Sequence, residues 1–402
     1  MSRGCVGTLV AITLAAGLAM RLARLDVRPM HHDEANQAVK FGLLLEGGQY
    51  RYDAHDHHGP TLYYLSLPAA WLRGQSTLAS LDERTLRAVT AVFGAATILL
   101  LPLLSAGVGR TAVASAAVLM ALSPAMVFYS RMFIQESLFA CFTLAFVIAI
   151  GRVAMGGPST RSGSSRAVSR DGGLAWSWLA GVAAGLAVAT KETWVIVLPA
   201  ALVACAISWW SLGPGRPKAP LADGRWGRSA LVSLSVAAAV AALFYSSFLA
   251  APSGVLEPFR AAGTYVDRAI DPVDHAHPWH YYLGLLTYSS SGGLKWSEGL
   301  VLVLAIVGGV SAWGLPQATS KGRPDRVRPE RAFWARYLTC NVAIAAAIFS
   351  AIRYKTPWNL LPFYVAVIVL AGIGFSTLVQ ATASRAVRGA LAAALVIGSG
   401  QL

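Results

Sequence analysis

Met30-His31-His32-Asp33-Glu34-Ala35 puts two imidazoles and two carboxylates side by side, only a few residues after the apolar run from Val6 to Leu25. A knot of ionisable groups directly behind an apolar run of helix length marks a membrane span that ends at an aqueous surface. The other reading of that run is a cleaved signal peptide, with Gly17-Leu18-Ala19 as a small-residue site. The many spans that follow make an uncleaved first helix the simpler expectation.

Composition agrees with a membrane chain, since 402 residues are 55% hydrophobic and 13% charged, with a mean hydropathy of +0.55. Further runs long enough to cross a bilayer fall at about 86–108, 111–129, 134–152, 174–190, 193–211, 229–251, 297–315, 332–352 and 357–379. The expected fold is therefore an all-α polytopic membrane protein, one transmembrane domain over residues 1–402, with about ten or eleven transmembrane helices. The last apolar run starts at Gly389 and stops at Leu402, short of a full span, so a C-terminal part of the protein is expected to be missing.

Charge gives the sidedness. With a cytoplasmic N-terminus, the cytoplasmic face receives Arg3, Arg110, Arg152, Arg161, Arg166, Arg170, Arg216, Lys218, Arg225, Arg228, Lys321, Arg323, Arg326, Arg328, Arg331, Arg336, Arg385 and Arg388. Those 18 of the 33 basic residues, against Asp171, Asp223, Asp325 and Glu330, account for the whole net charge of +14. The basic excess is thus a positive-inside signature of a multi-pass protein in the cytoplasmic membrane, and it leaves no reason to invoke nucleic acid. All eight histidines and 15 of the 19 carboxylates fall on the opposite, outer face. Any chemistry is expected there. Cys5, Cys141, Cys205 and Cys340 lie in or beside spans, where no disulfide or thiolate chemistry is expected. The Gly-, Ser- and Arg-rich segment from Met155 to Gly173 reads as a flexible loop.

The first outer loop, residues 26–85, is long and partly apolar. Glu34 to Leu45 reads as a short helix ending at Gly47-Gly48, with Ala38, Phe41 and Leu45 on one side. Asp53-Ala54-His55-Asp56-His57-His58-Gly59-Pro60 follows, and then Thr61 to Leu72, an aromatic stretch too short to span that reads as an interfacial helix. A second long outer loop covers 252–296. It interleaves Tyr265, Trp279, Tyr281, Tyr282 and Tyr288 with Asp267, Asp271 and Asp274, a mixture that suits carbohydrate and suits headgroup depth equally.

Several of these stretches, taken in order, resemble the GT-C membrane glycosyltransferases of the dolichyl-phosphate-mannose protein mannosyltransferase type. The stretches are His32-Asp33-Glu34-Ala35, Gly59-Pro60-Thr61-Leu62-Tyr63-Tyr64, Ser123-Pro124-Ala125-Met126-Val127-Phe128-Tyr129-Ser130-Arg131, Ala189-Thr190-Lys191-Glu192 and Arg353-Tyr354-Lys355-Thr356-Pro357-Trp358-Asn359. Within that superfamily the chain most resembles a prokaryotic subfamily associated with flippase activity in protein N-glycosylation. The resemblance implies a GT-C bundle that transfers a sugar from a polyprenyl-phosphate donor to a protein, lipid or glycan acceptor on the outer face, usually with inversion.

Such a transfer needs a base for the acceptor proton and a cation for the leaving phosphate. Asp33 is the candidate base, carried over from the acidic position of the first-loop motif, with Glu34 as runner-up. The competing reading makes Asp33 the N-cap of the helix behind it. Arg353 and Lys355, in a short outer loop, are the foremost phosphate candidates, joined by Lys191 and by Arg131. The competing reading for these is snorkelling from span ends, with Glu136 as the structural partner of Arg131. A divalent ion (Mn, Mg or Zn) is a further expectation, from His55, Asp56, His57 and His58 with His275 and His277; hydrogen bonding among loops competes with it. A lipid-linked-sugar translocase or accessory protein without glycosyl transfer, and a metal-binding scaffold, are the remaining alternatives. Against translocation, few charges lie deep in spans and no pair of broken half-helices stands out.

Overall fold

The computed structural model describes residues 1–53, 58–156, 168–215, 225–270, 275–291, 294–314 and 327–399. The loop read as flexible lies mostly outside them, as do His55, Asp56, His57, Asp271, Asp274 and several of the basic residues assigned to the cytoplasmic face.

Each apolar run of the sequence is a helix, because in lipid only a helix satisfies its own backbone within one segment. In chain order these are α1 (Arg3–Leu22), α4 (Glu83–Leu100) continuing into α5 (Ser105–Val108), α6 (Arg110–Leu122) with α7 (Pro124–Ser130), α8 (Glu136–Ala154), α9 (Val168–Val188), α10 (Trp194–Trp210), α11 (Arg225–Tyr245), α14 (Gly299–Gly314), α15 (Val327–Ala351), α16 (Leu361–Ala381) and α17 (Arg385–Ser399). Between them lie α2 (His32–Gly47), α3 (Thr61–Leu72), α12 (Glu257–Ile270), α13 (Tyr281–Thr287) and the hairpin β1 (Ser289–Ser291) with β2 (Leu294–Trp296). Among the described residues six helices are long and apolar enough to cross a membrane, and α6 with α7 makes a seventh span bent by 54°. The apolar helices at 173–188, 194–210 and 299–314 are shorter. The span expected at 111–129 is thus bent at Pro124, which lacks the N–H that a continuous helix would use there.

Loop ends gather at two poles, and the gathering follows the charge map. At one pole the Arg110 guanidinium donates to the Met1 carbonyl (3.2 Å), Arg152 pairs with Glu330 (3.0 Å) and Arg336 donates to the Ser211 carbonyl (2.8 Å). There the Trp334 ring fills the space left by Gly107 and Gly151, where an added Cβ would stand 1.9 and 2.3 Å from it.

At the other pole the first outer loop is stitched to the ends of α9 and α11. Phe41, Leu62 and Tyr63 are fully buried, so α2 and α3 are packed elements rather than helices resting only on lipid; Trp71 and Leu72 at the end of α3 remain exposed. The Thr61 amide donates to the Ala189 carbonyl (3.1 Å), the Thr61 and Thr190 hydroxyls share a hydrogen bond (2.7 Å), and Ser247 bonds both the Tyr50 backbone and the Tyr64 hydroxyl. Gly59 makes this approach possible, since a Cβ there would sit 2.2 Å from the Ala189 carbonyl oxygen. Gly59→Ala must push the loop off the end of α9, and a loss of about 1–3 kcal/mol is expected in thermal or denaturant unfolding.

The second outer loop is laced to the segment between α15 and α16. The His277 amide donates to the Arg353 carbonyl and the Lys355 amide to the His275 carbonyl, each at 3.0 Å, a short antiparallel pairing around Ala276 and Tyr354.

Candidate active site

The two carboxylates of the opening stretch have opposite fates. Glu34 is fully buried and accepts from five donors: Arg87 Nε (2.7 Å) and Nη2 (3.1 Å), Arg28 Nη2 (2.6 Å), the His31 amide (3.0 Å) and the Phe133 amide (2.9 Å). Burial alone would raise its pKa, but these donors hold the carboxyl below the ordinary value. Arg87, also buried, spends its remaining N–H groups on the carbonyls of Leu25, Arg28 and Pro29. Glu34 therefore ties α2 to α4 and to the turn before α8, with no acceptor capacity left over. The sequence contained the signal for this, because Glu34 is in helical register with Ala38, Phe41 and Leu45.

Asp33 points elsewhere. It is half-buried, and among the described residues its carboxylate accepts no hydrogen bond and forms no ion pair. The cap reading is corrected: His31 is the N-cap of α2, its Nδ1 accepting from the Asp33 amide (3.2 Å), and Glu34 closes the capping box. His31 also presents its ring edge-on to Trp358 (5.8 Å), and Tyr129 meets Trp358 from α7 (6.4 Å). Trp358 thus joins the first-loop motif to the Ser123–Arg131 and Arg353–Asn359 motifs.

The four phosphate candidates separate in the same way. Lys191 is buried, donating to Glu136 and to Asn359 Oδ1 (2.8 Å); burial opposes its charge, but Glu136 and the neighbouring Glu192 hold its pKa up. So Glu136 partners Lys191, not Arg131. Arg131 donates to the carbonyls of Met20 (2.6 Å) and Arg24 (3.3 Å). The Lys355 ammonium is buried against the carbonyls of His277 (3.1 Å) and Ile352, and burial pushes its pKa down. Arg353 is exposed, and its guanidinium makes no hydrogen bond or ion pair among the described residues. Of the residues singled out for catalysis and phosphate binding, Asp33 and Arg353 alone have free head groups there.

His58 pairs with Glu192 through Nδ1 and Oε2 (2.9 Å), His277 stacks on Tyr281 (4.1 Å between centroids), and His275 meets the edge of Tyr354 (5.7 Å). Among the described residues no three His, Cys, Asp or Glu side chains come together as metal ligands. Burial raises the Glu192 pKa, but His58 and Lys191 outweigh it and bring the carboxyl down to about 2 from an ordinary 4.5. A carboxyl depressed in the fold stabilises it above the unfolded value. That stabilisation is lost as pH falls through about 4.5 towards 2. Melting temperature is expected to drop across this window, and to drop less in Glu192→Gln. Arg87, Glu192 and Trp358 carry the site without having been assigned roles from sequence. An Arg one turn into an apolar run was the available sign for Arg87.

Helices crossing between two poles, with the motif residues gathered at one of them, define a multi-pass membrane protein of the GT-C glycosyltransferase fold. Residues 11–249 match the dolichyl-phosphate-mannose-protein mannosyltransferase family, and the chain belongs to that family. ArnT from Cupriavidus metallidurans bound to undecaprenyl phosphate superposes with a TM-score of 0.65 at 18% identity, over 94% of this chain and 61% of that one. The apo oligosaccharyltransferase of Archaeoglobus fulgidus gives 0.65 at 16%, over 100% of this chain and 55% of that one. The archaeal oligosaccharyltransferase AglB from Archaeoglobus fulgidus, in complex with an inhibitory peptide and a dolichol-phosphate, gives 0.63 at 14%, over 98% and 55%. The chain spans only 55–61% of the length of these structures. No curated protein matches its sequence.

Proposed function

We propose that this chain transfers a sugar from a polyprenyl-phosphate-linked donor to an acceptor on the extracytoplasmic face of the cytoplasmic membrane, with the basic pole facing the cytoplasm. The acceptor oxygen attacks the anomeric carbon while the bond from that carbon to the phosphate oxygen breaks. The acceptor proton passes to Asp33 and the electron pair leaves with the lipid phosphate, which Arg353 receives. The observation that carries this reading is the Asp33 carboxylate, unpartnered among the described residues, on a turn whose other carboxylate is saturated. Half-exposed at the pole, that carboxylate is open to an incoming acceptor. Lys355, Lys191 and Arg131 hold the surrounding loops, and of the four candidates Arg353 is the one whose fork is free for phosphate among the described residues.

The test is release of polyprenyl phosphate from a polyprenyl-phosphate sugar by the purified chain in liposomes. Release that depends on Asp33 supports the reading, whereas movement of sugar across the bilayer without bond cleavage would favour a translocase. Chelation with EDTA and re-addition of Mn, Mg or Zn in the same assay reads any dependence on a divalent ion. In Arg353→Ala the donor KM is expected to rise by about tenfold or more, the scale of one lost charge-assisted contact.

A further inference from the structure

Two buried ionisable side chains from other elements, Arg21 and Glu298, meet the bent span, and the proposed reaction gives them no role. A continuous helix through 120–125 would bond the Pro124 and Ala125 amides to the Met120 and Ala121 carbonyls. Pro124 has no N–H, and the Ala125 N–H turns away to Glu298 Oε1 (3.0 Å), so both carbonyls lose their helical donors. Arg21, fully buried on α1, supplies replacements: Nη2 donates to the Met120 carbonyl (2.9 Å) and Nη1 to the Ala121 carbonyl (3.1 Å), with a further bond to the Gly17 carbonyl (3.0 Å). From the other side Glu298, 2% exposed at the start of α14, also accepts from the Ser123 hydroxyl (2.6 Å). The carbonyls orphaned by the break thus meet a guanidinium, and its orphaned N–H meets a carboxylate.

The segment just beyond the break, from Tyr129 to Phe133, meets the site. Tyr129 at the end of α7 touches Trp358, the Arg131 carbonyl accepts from Arg28 (3.4 Å), and the Phe133 amide reaches Glu34 (2.9 Å). The Glu298 amide is bonded to the Leu286 carbonyl (2.8 Å), so the same residue anchors the second outer loop.

We propose that Arg21 and Glu298 are positioning residues, a brace across the α6–α7 break that sets the Tyr129–Phe133 segment against the turn bearing Asp33. The inference rests on the proposed transfer only for its kinetic arm. Hydrogen exchange of the 119–135 amides in the whole 402-residue chain in nanodiscs tests the brace without reference to activity. In Glu298→Ala and Arg21→Met exchange there is expected to rise by about tenfold, the equivalent of one lost buried hydrogen bond, with distant spans unchanged. In the release assay kcat falls with donor KM little altered, because the proposed phosphate contact at Arg353 is untouched. Glu298→Gln, whose Oε1 can still accept from Ser123 and Ala125, restores both readouts towards wild type. Ser123→Ala is a milder probe should the Ala and Met variants fail to fold, and its increase is expected at 125–127. Unchanged exchange over 119–135 in Glu298→Ala or Ser123→Ala overturns the brace. Normal exchange with lost turnover in Glu298→Gln overturns it too, and makes Glu298 a proton-transfer group. Absence of release by the wild type sinks the proposed transfer alone and leaves the exchange measurement standing.

Discussion

Asp33→Asn is expected to lower lipid-phosphate release by about three orders of magnitude, the middle of the range for removal of a general base. The variant keeps its fold, because the capping of α2 depends on the His31 ring and the Glu34 carboxylate, and neither bond uses the Asp33 side chain. Melting temperature and donor binding are expected to match wild type, while kcat falls at every pH. Full turnover in Asp33→Asn would remove Asp33 from the chemistry. Loss of turnover together with loss of fold would show instead that the carboxylate holds the loop. The neighbouring position is the control: Glu34→Gln is expected to lower the melting temperature and to leave turnover of the folded fraction in place, since its amide oxygen can still accept from Arg87 Nε and Phe133 while its NH2 meets the Arg28, His31 and Arg87 Nη2 donors of the other oxygen. A folded but inactive Glu34→Gln beside an active Asp33→Asn would exchange the two assignments.

Arg87→Met or Glu34→Ala costs about 3–5 kcal/mol, the largest stability effect expected in this chain, because each leaves a buried charge without its partner. Glu34→Ala also orphans the Phe133 amide and frees Arg28, so the turn before α8 and the first outer loop come loose together. The measurement is a thermal melt followed by size-exclusion chromatography, in which a broad, aggregated profile is expected. In the double variant Glu34→Leu with Arg87→Leu, part of the loss should return, since an apolar pair of similar volume has no unpaired charge to bury. A double variant no more stable than Arg87→Met would show that the hydrogen bonds to Arg28, His31 and Phe133 matter more than the ion pair.

Much of the architecture was legible in one dimension, because lipid enforces a simple rule on each span separately. A run such as 357–379 has to be a helix wherever its neighbours lie, and α16 occupies it. The two poles were legible for a related reason. Basic residues accumulate on alternate loops, and loops such as those holding Arg152 and Glu330 do meet in the structure. The break at Ser123–Pro124 was not recognised, although the proline is plain to see. A proline within an apolar run is tolerated in some membrane helices and breaks others, according to what satisfies the freed backbone, and here the partners come from residues 21 and 298.

The site was legible as a set of residues and not as a set of roles. By itself the sequence pointed to motif residues on one face, to a short helix of the first outer loop beginning at Glu34 just after Asp33, and to basic groups from later loops on the same side. Only the tertiary structure decided which of these charges are free. Arg87 saturates Glu34 from 53 positions away, and Glu136 and Asn359 occupy Lys191 from 55 and 168 positions away. The reason is electrostatic: a charge buried at the end of a membrane helix must find a partner wherever the fold brings one, and sequence distance does not record that meeting.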